Sequence, residues 1–168
     1  DYAVTGVQTC ALPISNWIDK SGRIVANTLN SIRWTITVNS MDAPMTNAVI
    51  VDTLPVGLEV VPGSFKLILS NGDEVAISES ATLTPGSYTL EAGSEAGPLK
   101  STIIRYQFNG PITEDHRLVF DSIVIDPIAL SSNLSTSYPN TATLSWDNGN
   151  LGSPTAGVAV GTQPGTII

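Results

Sequence analysis

Three polar residues occupy positions at which the surrounding sequence predicts a buried side chain. Lys20 has the same strand parity as Ile18, and Asp52 has the same parity as Ile50. Asn140 opens the run N-T-A-T-L-S-W, in which every second residue after it is apolar. A buried polar group without a hydrogen-bond partner lowers the stability of the folded state. We therefore expect this amine, carboxyl and carboxamide to meet inside the fold and to satisfy one another.

Each of the three residues also has a simpler interpretation. Lys20 could be a surface lysine beside a turn, since Ser21-Gly22 follows it. Asp52 could form an Asx-turn that orders the corner after its strand. Asn140 could satisfy backbone groups at the start of a strand. These alternatives stay open on the sequence alone.

The remaining residues that could do chemistry do not form a recognisable site. His116 is flanked by charged residues in a polar turn, which favours a solvated side chain, and no Ser-His-Asp set, phosphate loop or two-His metal motif is present. Cys10 is the only cysteine. The run 147–150, D-N-G-N, resembles part of a calcium loop but lacks the later acidic ligand, so a hairpin turn is the better interpretation. We predict no enzyme, no cofactor site and no metal site.

Composition indicates the class of protein. The 168 residues have a formal net charge of -8, with seven basic residues scattered singly, which is no footprint for nucleic acid or for insertion into a membrane. Only 13% of residues are charged, while β-branched residues and turn formers are abundant. This composition is typical of extracellular β-domains.

Alternation with a period of two predicts strands along most of the chain, and no window has sustained helical periodicity. The predicted strands are Ser31–Asn39, Asn47–Thr53, Ser64–Leu69, Glu74–Ile77, Ser87–Glu91, Ser101–Phe108, Leu118–Ile125, Asn140–Trp146 and Gly157–Thr162. Pro and Gly separate nearly all of them. Many short strands at this spacing predict an all-β, immunoglobulin-like Greek-key β-sandwich in a single domain.

The two ends of the chain are expected to lie outside that domain. The run Val4–Ile14 back-translates without a mismatch to a common short-read sequencing adapter, so residues 1–14 are expected to be non-native. The β-sandwich is expected to occupy residues 15–162. Residues 163–168 have the composition of a linker to a following domain.

Three segments recur together in a known family, namely Ile18–Gly22, Val49–Leu58 (V-I-V-D-T-L-P-V-G-L) and Asn140–Ser145 (N-T-A-T-L-S). Together with the strand Trp34–Asn39, they resemble the conserved-repeat and fimbrial isopeptide-formation domains of Gram-positive surface proteins. The resemblance extends over residues 18–146 in the family's order. It implies an immunoglobulin-like fold outside the cell, in a cell-wall-attached or secreted protein.

The resemblance also implies roles for the three polar residues. In that family a lysine amine and an asparagine side chain condense into an intramolecular amide with the help of a buried acid. Carried over, Lys20 would be the nucleophile, Asn140 the acceptor and Asp52 the acid that handles the proton. Such a crosslink forms once and does not make the protein an enzyme.

The leading functional hypothesis is therefore a structural stalk repeat of a bacterial surface adhesin or pilus-like protein, self-stapled by a Lys–Asn isopeptide bond. Its partners would be neighbouring domains of the same chain. One alternative is an adhesin domain that binds a ligand on a host or environmental surface. Another is an accessory β-sandwich attached to a secreted glycan-active enzyme.

Overall fold

The computed structural model describes residues 17–25, 30–131, 138–147 and 155–160. The expected non-native segment 1–14 and the expected linker 163–168 lie outside these residues. Within the described ranges, the elements are β1 (Ile18–Ile24), β2 (Ser31–Val38), β3 (Thr46–Leu54), β4 (Leu58–Val60), β5 (Lys66–Ile68), β6 (Glu74–Ala76), β7 (Ser78–Glu79), β8 (Ser87–Ala92), β9 (Thr102–Gln107), β10 (His116–Val124), α1 (Pro127–Ser131), β11 (Asn140–Asp147) and β12 (Thr155–Val160).

The strands form two sheets that face each other. Sheet I has the order β1-β2-β10-β5-β6, with β4 also paired to β10, and sheet II has the order β12-β11-β3-β9-β8-β7. All pairings are antiparallel except that of β7 with β8. The chain passes repeatedly between the sheets, for example from β2 in sheet I to β3 in sheet II. This arrangement confirms the predicted all-β sandwich.

The core lies between the two sheets and follows the predicted alternation. In β2 the four inward residues are completely buried, and the four alternating residues of β11 are at most 4% exposed. The largest fully buried side chains include Trp34, Tyr106, Phe108 and Phe120. Burying side chains of this size supplies most of the driving force for folding. The sandwich therefore rests on one continuous apolar layer.

Some elements differ from the sequence-based expectation. The nine predicted strands are present within two residues of their expected limits. Strand β1 was anticipated only through the parity of Ile18 and Lys20, and the short strands β4 and β7 were not predicted. One short helix, α1, also appears in a chain without helical periodicity. Asp126 caps it, because its Oδ1 atom accepts a hydrogen bond from the Ile128 amide 3.0 Å away, and Pro127 suits the first helical position. A five-residue helix is too short to produce a periodic pattern.

No helix of the described part of the chain is long and apolar enough to cross a membrane.

Candidate functional site

Lys20 enters the interior from β1, an edge strand of sheet I. Along this strand Ile18 and Lys20 are buried, while Asp19 and Ser21 are exposed. The cross-strand partner of Lys20 is Ile36, which is also fully buried. The Lys20 side chain has no exposed surface. The predicted inward parity is thus correct, and the surface-lysine alternative is wrong.

Asp52 lies on β3, in the middle of sheet II. It is fully buried, and its cross-strand partners are Ala142 on β11 and Ile104 on β9. Among the described residues, its Oδ2 atom accepts a hydrogen bond from the Lys20 amine and its Oδ1 atom has no hydrogen-bond partner. The carboxyl therefore does not form the Asx-turn that the sequence left open.

Asn140 is the first residue of β11 and is also fully buried. Because Ala142 is the partner of Asp52, Asn140 lies on the same face of sheet II, one diagonal step from Asp52. Neither polar atom of its side chain has a hydrogen-bond partner within the described ranges. The alternative in which Asn140 satisfies backbone groups is therefore not observed.

Burial determines the electrostatics of this cluster. It lowers the pKa of the Lys20 amine, and the neighbouring Asp52 opposes that decrease. Burial also raises the pKa of the Asp52 carboxyl, and Lys20 and the adjacent Asn140 amide oppose that increase. Both shifts act in the direction of a neutral amine beside a neutral acid. The Asn140 amide is close enough to affect Asp52, although its polar atoms lack a hydrogen bond of regular geometry.

An aromatic ring stands beside the amine. The Lys20 Nζ atom lies 5.1 Å from the ring centroid of Trp34 on β2. The Trp34 Nε1 atom donates a 2.9 Å hydrogen bond to the hydroxyl of Ser122, a fully buried residue of β10. Sequence reasoning missed this contact. The available signal was Ser122, a polar residue with the inward parity of Phe120 in its strand.

The cluster thus brings together an amine, a carboxylic acid and a carboxamide with little access to water. The amine in its neutral form is a nucleophile, and the carboxamide carbon is an electrophile that a protonated acid can polarise. Holding the groups together replaces an unfavourable bimolecular encounter with an intramolecular one. This arrangement can support one covalent condensation.

The other candidate residues lie away from this cluster. The His116 Nδ1 atom is 2.9 Å from the Glu114 carbonyl oxygen, and its half-buried ring packs edge-on against Phe108. In the predicted turn 147–150, only Asp147 lies within the described residues. No group of three or more His, Cys, Asp or Glu side chains in the described part of the chain is placed to hold a metal ion.

Comparison with known proteins identifies the family. The model of the collagen binding domain family matches residues 15–151. The chain belongs to the collagen binding domain family. Members and structural neighbours of this family are adhesin domains of Gram-positive surface proteins, which supports the prediction that the chain is not an enzyme. A search of curated proteins found no sequence relative that matches.

Three solved structures share the fold. The collagen binding subdomain of the Enterococcus faecalis surface protein ACE is 13% identical, with a TM-score of 0.52 over 88% of this chain and 94% of the other. The collagen-binding domain of a Staphylococcus aureus adhesin is 8% identical, with a TM-score of 0.53 over 92% and 100%. A mutant of the Streptococcus suis protein SadP is 14% identical, with a TM-score of 0.60 over 89% and 87%. At these identities the likeness concerns the fold alone.

Proposed function

We propose that this chain is an adhesin domain of a bacterial surface protein and that an isopeptide bond between Lys20 and Asn140 staples it. The observation that supports this most directly is the convergence of Lys20, Asp52 and Asn140 from three strands in a buried cluster with unsatisfied polar atoms. Buried polar atoms without hydrogen-bond partners lower the stability of a folded protein, so their presence here needs an explanation, and the proposed bond supplies one. We place the folded unit at residues 15–162, which the family match to 15–151 supports.

The proposed reaction needs no other reagent. The neutral Lys20 amine attacks the Asn140 side-chain carbon, while protonated Asp52 donates a hydrogen bond to the carboxamide oxygen. Asp52 then transfers the proton that the attacking nitrogen loses to the departing Nδ2 group, which leaves as ammonia. One C–N bond forms and one breaks, and Asp52 returns to its initial protonation state. The product is an amide that joins β1 to β11.

The functional consequence is mechanical. The bond connects an edge strand of sheet I to an interior strand of sheet II and closes a loop of about 120 residues. A crosslink over a loop of this length restricts the unfolded chain as a disulfide would. It gives an extracellular domain a covalent staple that requires no oxidant, and this suits both a stalk repeat and a ligand-binding domain under tension.

The intact mass of the domain tests the crosslink. We would express residues 16–168 and compare the wild type with Lys20→Ala and with Lys66→Ala, a matched control because Lys66 is exposed and paired with Glu74. The wild type and the control should weigh about 17 Da less than their sequence masses, because ammonia has left. Lys20→Ala should have its full sequence mass.

A digest separates the crosslink from a second reaction of the same mass. Asn-Gly pairs at 71–72, 109–110 and 148–149 can also lose ammonia by forming succinimides. Only the crosslink gives a joined peptide that contains Lys20 and Asn140. A full sequence mass in all three proteins would overturn the proposal and leave an ordinary β-sandwich.

A second proposed function is ligand binding, and the family match favours it. Two of the three solved structures described above are named as collagen-binding, and this chain covers 94% and 100% of them. We propose collagen as the ligand class. Immobilised triple-helical collagen should bind the domain saturably, whereas heat-denatured collagen is the control. No binding to either would overturn this proposal without affecting the crosslink. The accessory-module hypothesis remains an untested prediction.

A further inference from the structure

The indole of Trp34 contacts both the Lys20 amine and a buried hydroxyl of the next strand. Trp34 is completely buried on β2, the middle one of the three neighbouring strands β1, β2 and β10. The Lys20 Nζ atom lies 5.1 Å from the ring centroid. The indole Nε1 atom donates its 2.9 Å hydrogen bond to Ser122 Oγ. One residue from each strand therefore forms a row on the inner face of sheet I, which we call the Lys20–Trp34–Ser122 row.

The register of β1 against β2 explains how the ring reaches the amine. Lys20 is paired with Ile36, and the residue opposite Trp34 on β1 is Gly22. Trp34 is therefore a diagonal neighbour of Lys20, at a separation that long and aromatic side chains can span. A side chain at position 22 would point to the same face and compete with both for space, whereas Gly22 has none. The register thus leaves room for the ring beside the amine.

Ser122 fixes the orientation of the indole. It is fully buried and paired with Ile32, so it is the diagonal neighbour of Trp34 on β10. The indole N–H can only donate, and leaving it unpaired in the core is unfavourable. Rotation of the ring would move Nε1 away from the Ser122 hydroxyl. The hydrogen bond therefore favours the one ring orientation that is observed beside Lys20.

Contact with the ring does not by itself make the amine a better nucleophile. An aromatic face attracts an ammonium group, so it favours the protonated form of Lys20. Burial has the opposite effect, since it lowers the pKa of the amine. The contribution that remains for the indole is geometric. The ring limits the positions open to a flexible four-carbon side chain.

We propose that Trp34, held by Ser122, is a positioning residue that keeps the Lys20 amine within reach of the Asn140 side chain. This inference rests on the proposed crosslink. Misplacing a reacting group by about 1 Å can slow a reaction by about 100-fold. Without the ring, the lysine side chain has more conformations available, and fewer of them direct the amine towards Asp52 and Asn140 on sheet II. Strand β10, which contains none of the reacting residues, thus influences the reaction through the indole.

The rate of crosslinking tests this role. Residues 16–168 are made by cell-free translation and transferred at once into acidic denaturant, in which the chain is unfolded and its amines are protonated. Dilution into buffer starts folding, and samples are quenched in acid at successive times. The joined peptide that contains Lys20 and Asn140 is quantified after digestion. Circular dichroism measures the folded fraction in parallel, so that the rate is expressed per folded molecule.

Three variants and one control are compared with the wild type. Trp34→Leu removes the ring but keeps an apolar side chain, and Trp34→Phe restores an aromatic face without the N–H group. Ser122→Ala keeps the indole but removes its acceptor. Phe65→Leu is the matched control, because it also replaces a buried ring with leucine, and this ring stacks on those of Tyr88 and Phe120.

The expected rates differ in a graded way. Trp34→Leu should be slowed by about tenfold or more at every pH between about 6 and 9, Trp34→Phe and Ser122→Ala by about two- to fivefold, and Phe65→Leu by less than about twofold.

Three results would overturn the positioning role and leave the crosslink in place. These are a Trp34→Leu rate that equals or exceeds the wild-type rate at any of these pH values, equal rates for Trp34→Leu and Trp34→Phe, or an equal loss in Phe65→Leu. Absence of the joined peptide from the wild type would overturn the crosslink itself and this role with it.

Discussion

Lys20 and Asp52 form a hydrogen-bonded pair that bridges the two sheets, from the edge of sheet I to the middle of sheet II. Facing sheets in such sandwiches lie about 10 Å apart, and the four-carbon stem of lysine is long enough to place its amine near the opposite sheet. Asn140 lies on the same face as Asp52. The pair therefore brings the amine of one sheet to the carboxamide of the other.

Replacing Asp52 with Asn should prevent the crosslink. The substitution preserves the shape of the side chain, but a carboxamide cannot donate and recover a proton as the acid does. We expect Asp52→Asn to have its full sequence mass by intact mass spectrometry, and to yield no joined peptide.

Asp121→Asn is the matched control, because Asp121 lies on the outer face and binds Arg33 instead of Lys20. This control should keep the deficit of about 17 Da. Loss of ammonia in Asp52→Asn, with the Lys20–Asn140 peptide present, would show that the reaction does not require the acid.

Removing the acceptor should lower the stability of the domain. Asn140→Ala leaves the Lys20–Asp52 pair in place but removes the crosslink, so the unfolded chain regains the freedom of a loop of about 120 residues. The chain-entropy relation gives a decrease of about 4–5 kcal/mol in the free energy of unfolding. Denaturant titration followed by circular dichroism measures this free energy.

Asn109→Ala, at an exposed position, is the control and should change the free energy of unfolding by less than about 0.5 kcal/mol. Equal stability of Asn140→Ala and the wild type would contradict the mechanical role.

The sequence was sufficient to predict the main strands and their inward faces. Residues such as Ile36 in β2 and Leu144 in β11 follow a strict period of two, and both are fully buried. The strands that were missed, β4 and β7, have three and two residues, which is too few for alternation to be recognised. The pairing of β4 also depends on β10, which is distant in the chain.

The polar residues of the candidate site could be predicted from the sequence, but the contacts that surround them could not. Parity placed Lys20, Asp52 and Asn140 inside, because a polar residue stands out on an apolar face. The contact of Lys20 with Trp34 requires the packing of β1 against β2, which no local pattern specifies.

The hydroxyl of Ser122 should contribute measurably to stability. It is the acceptor for the Trp34 indole, and both side chains are fully buried. Ser122→Ala leaves the indole N–H without this acceptor in the core, which should cost about 1–3 kcal/mol of unfolding free energy. Denaturant titration checks the value. Ser70→Ala is the control, because Ser70 is exposed and binds Asp115 at the surface, and it should have little effect. A neutral result for Ser122→Ala would mean that the indole finds another acceptor.

Tyr106 should make the stability of the domain fall in strong alkali. Its side chain is almost fully buried in sheet II, and burial raises the pKa of the phenol from 10.0 to about 12. Below pH 10 the phenol is protonated in both the folded and unfolded states, so its contribution is constant. Between pH 10 and pH 12 the unfolded chain releases the proton first, and the free energy of unfolding should fall by roughly 1–3 kcal/mol.

Tyr106→Phe removes the phenol, so denaturant titrations at pH 9 and pH 11 should differ less in that variant than in the wild type. An equal decrease in both proteins would assign the alkaline sensitivity to other groups.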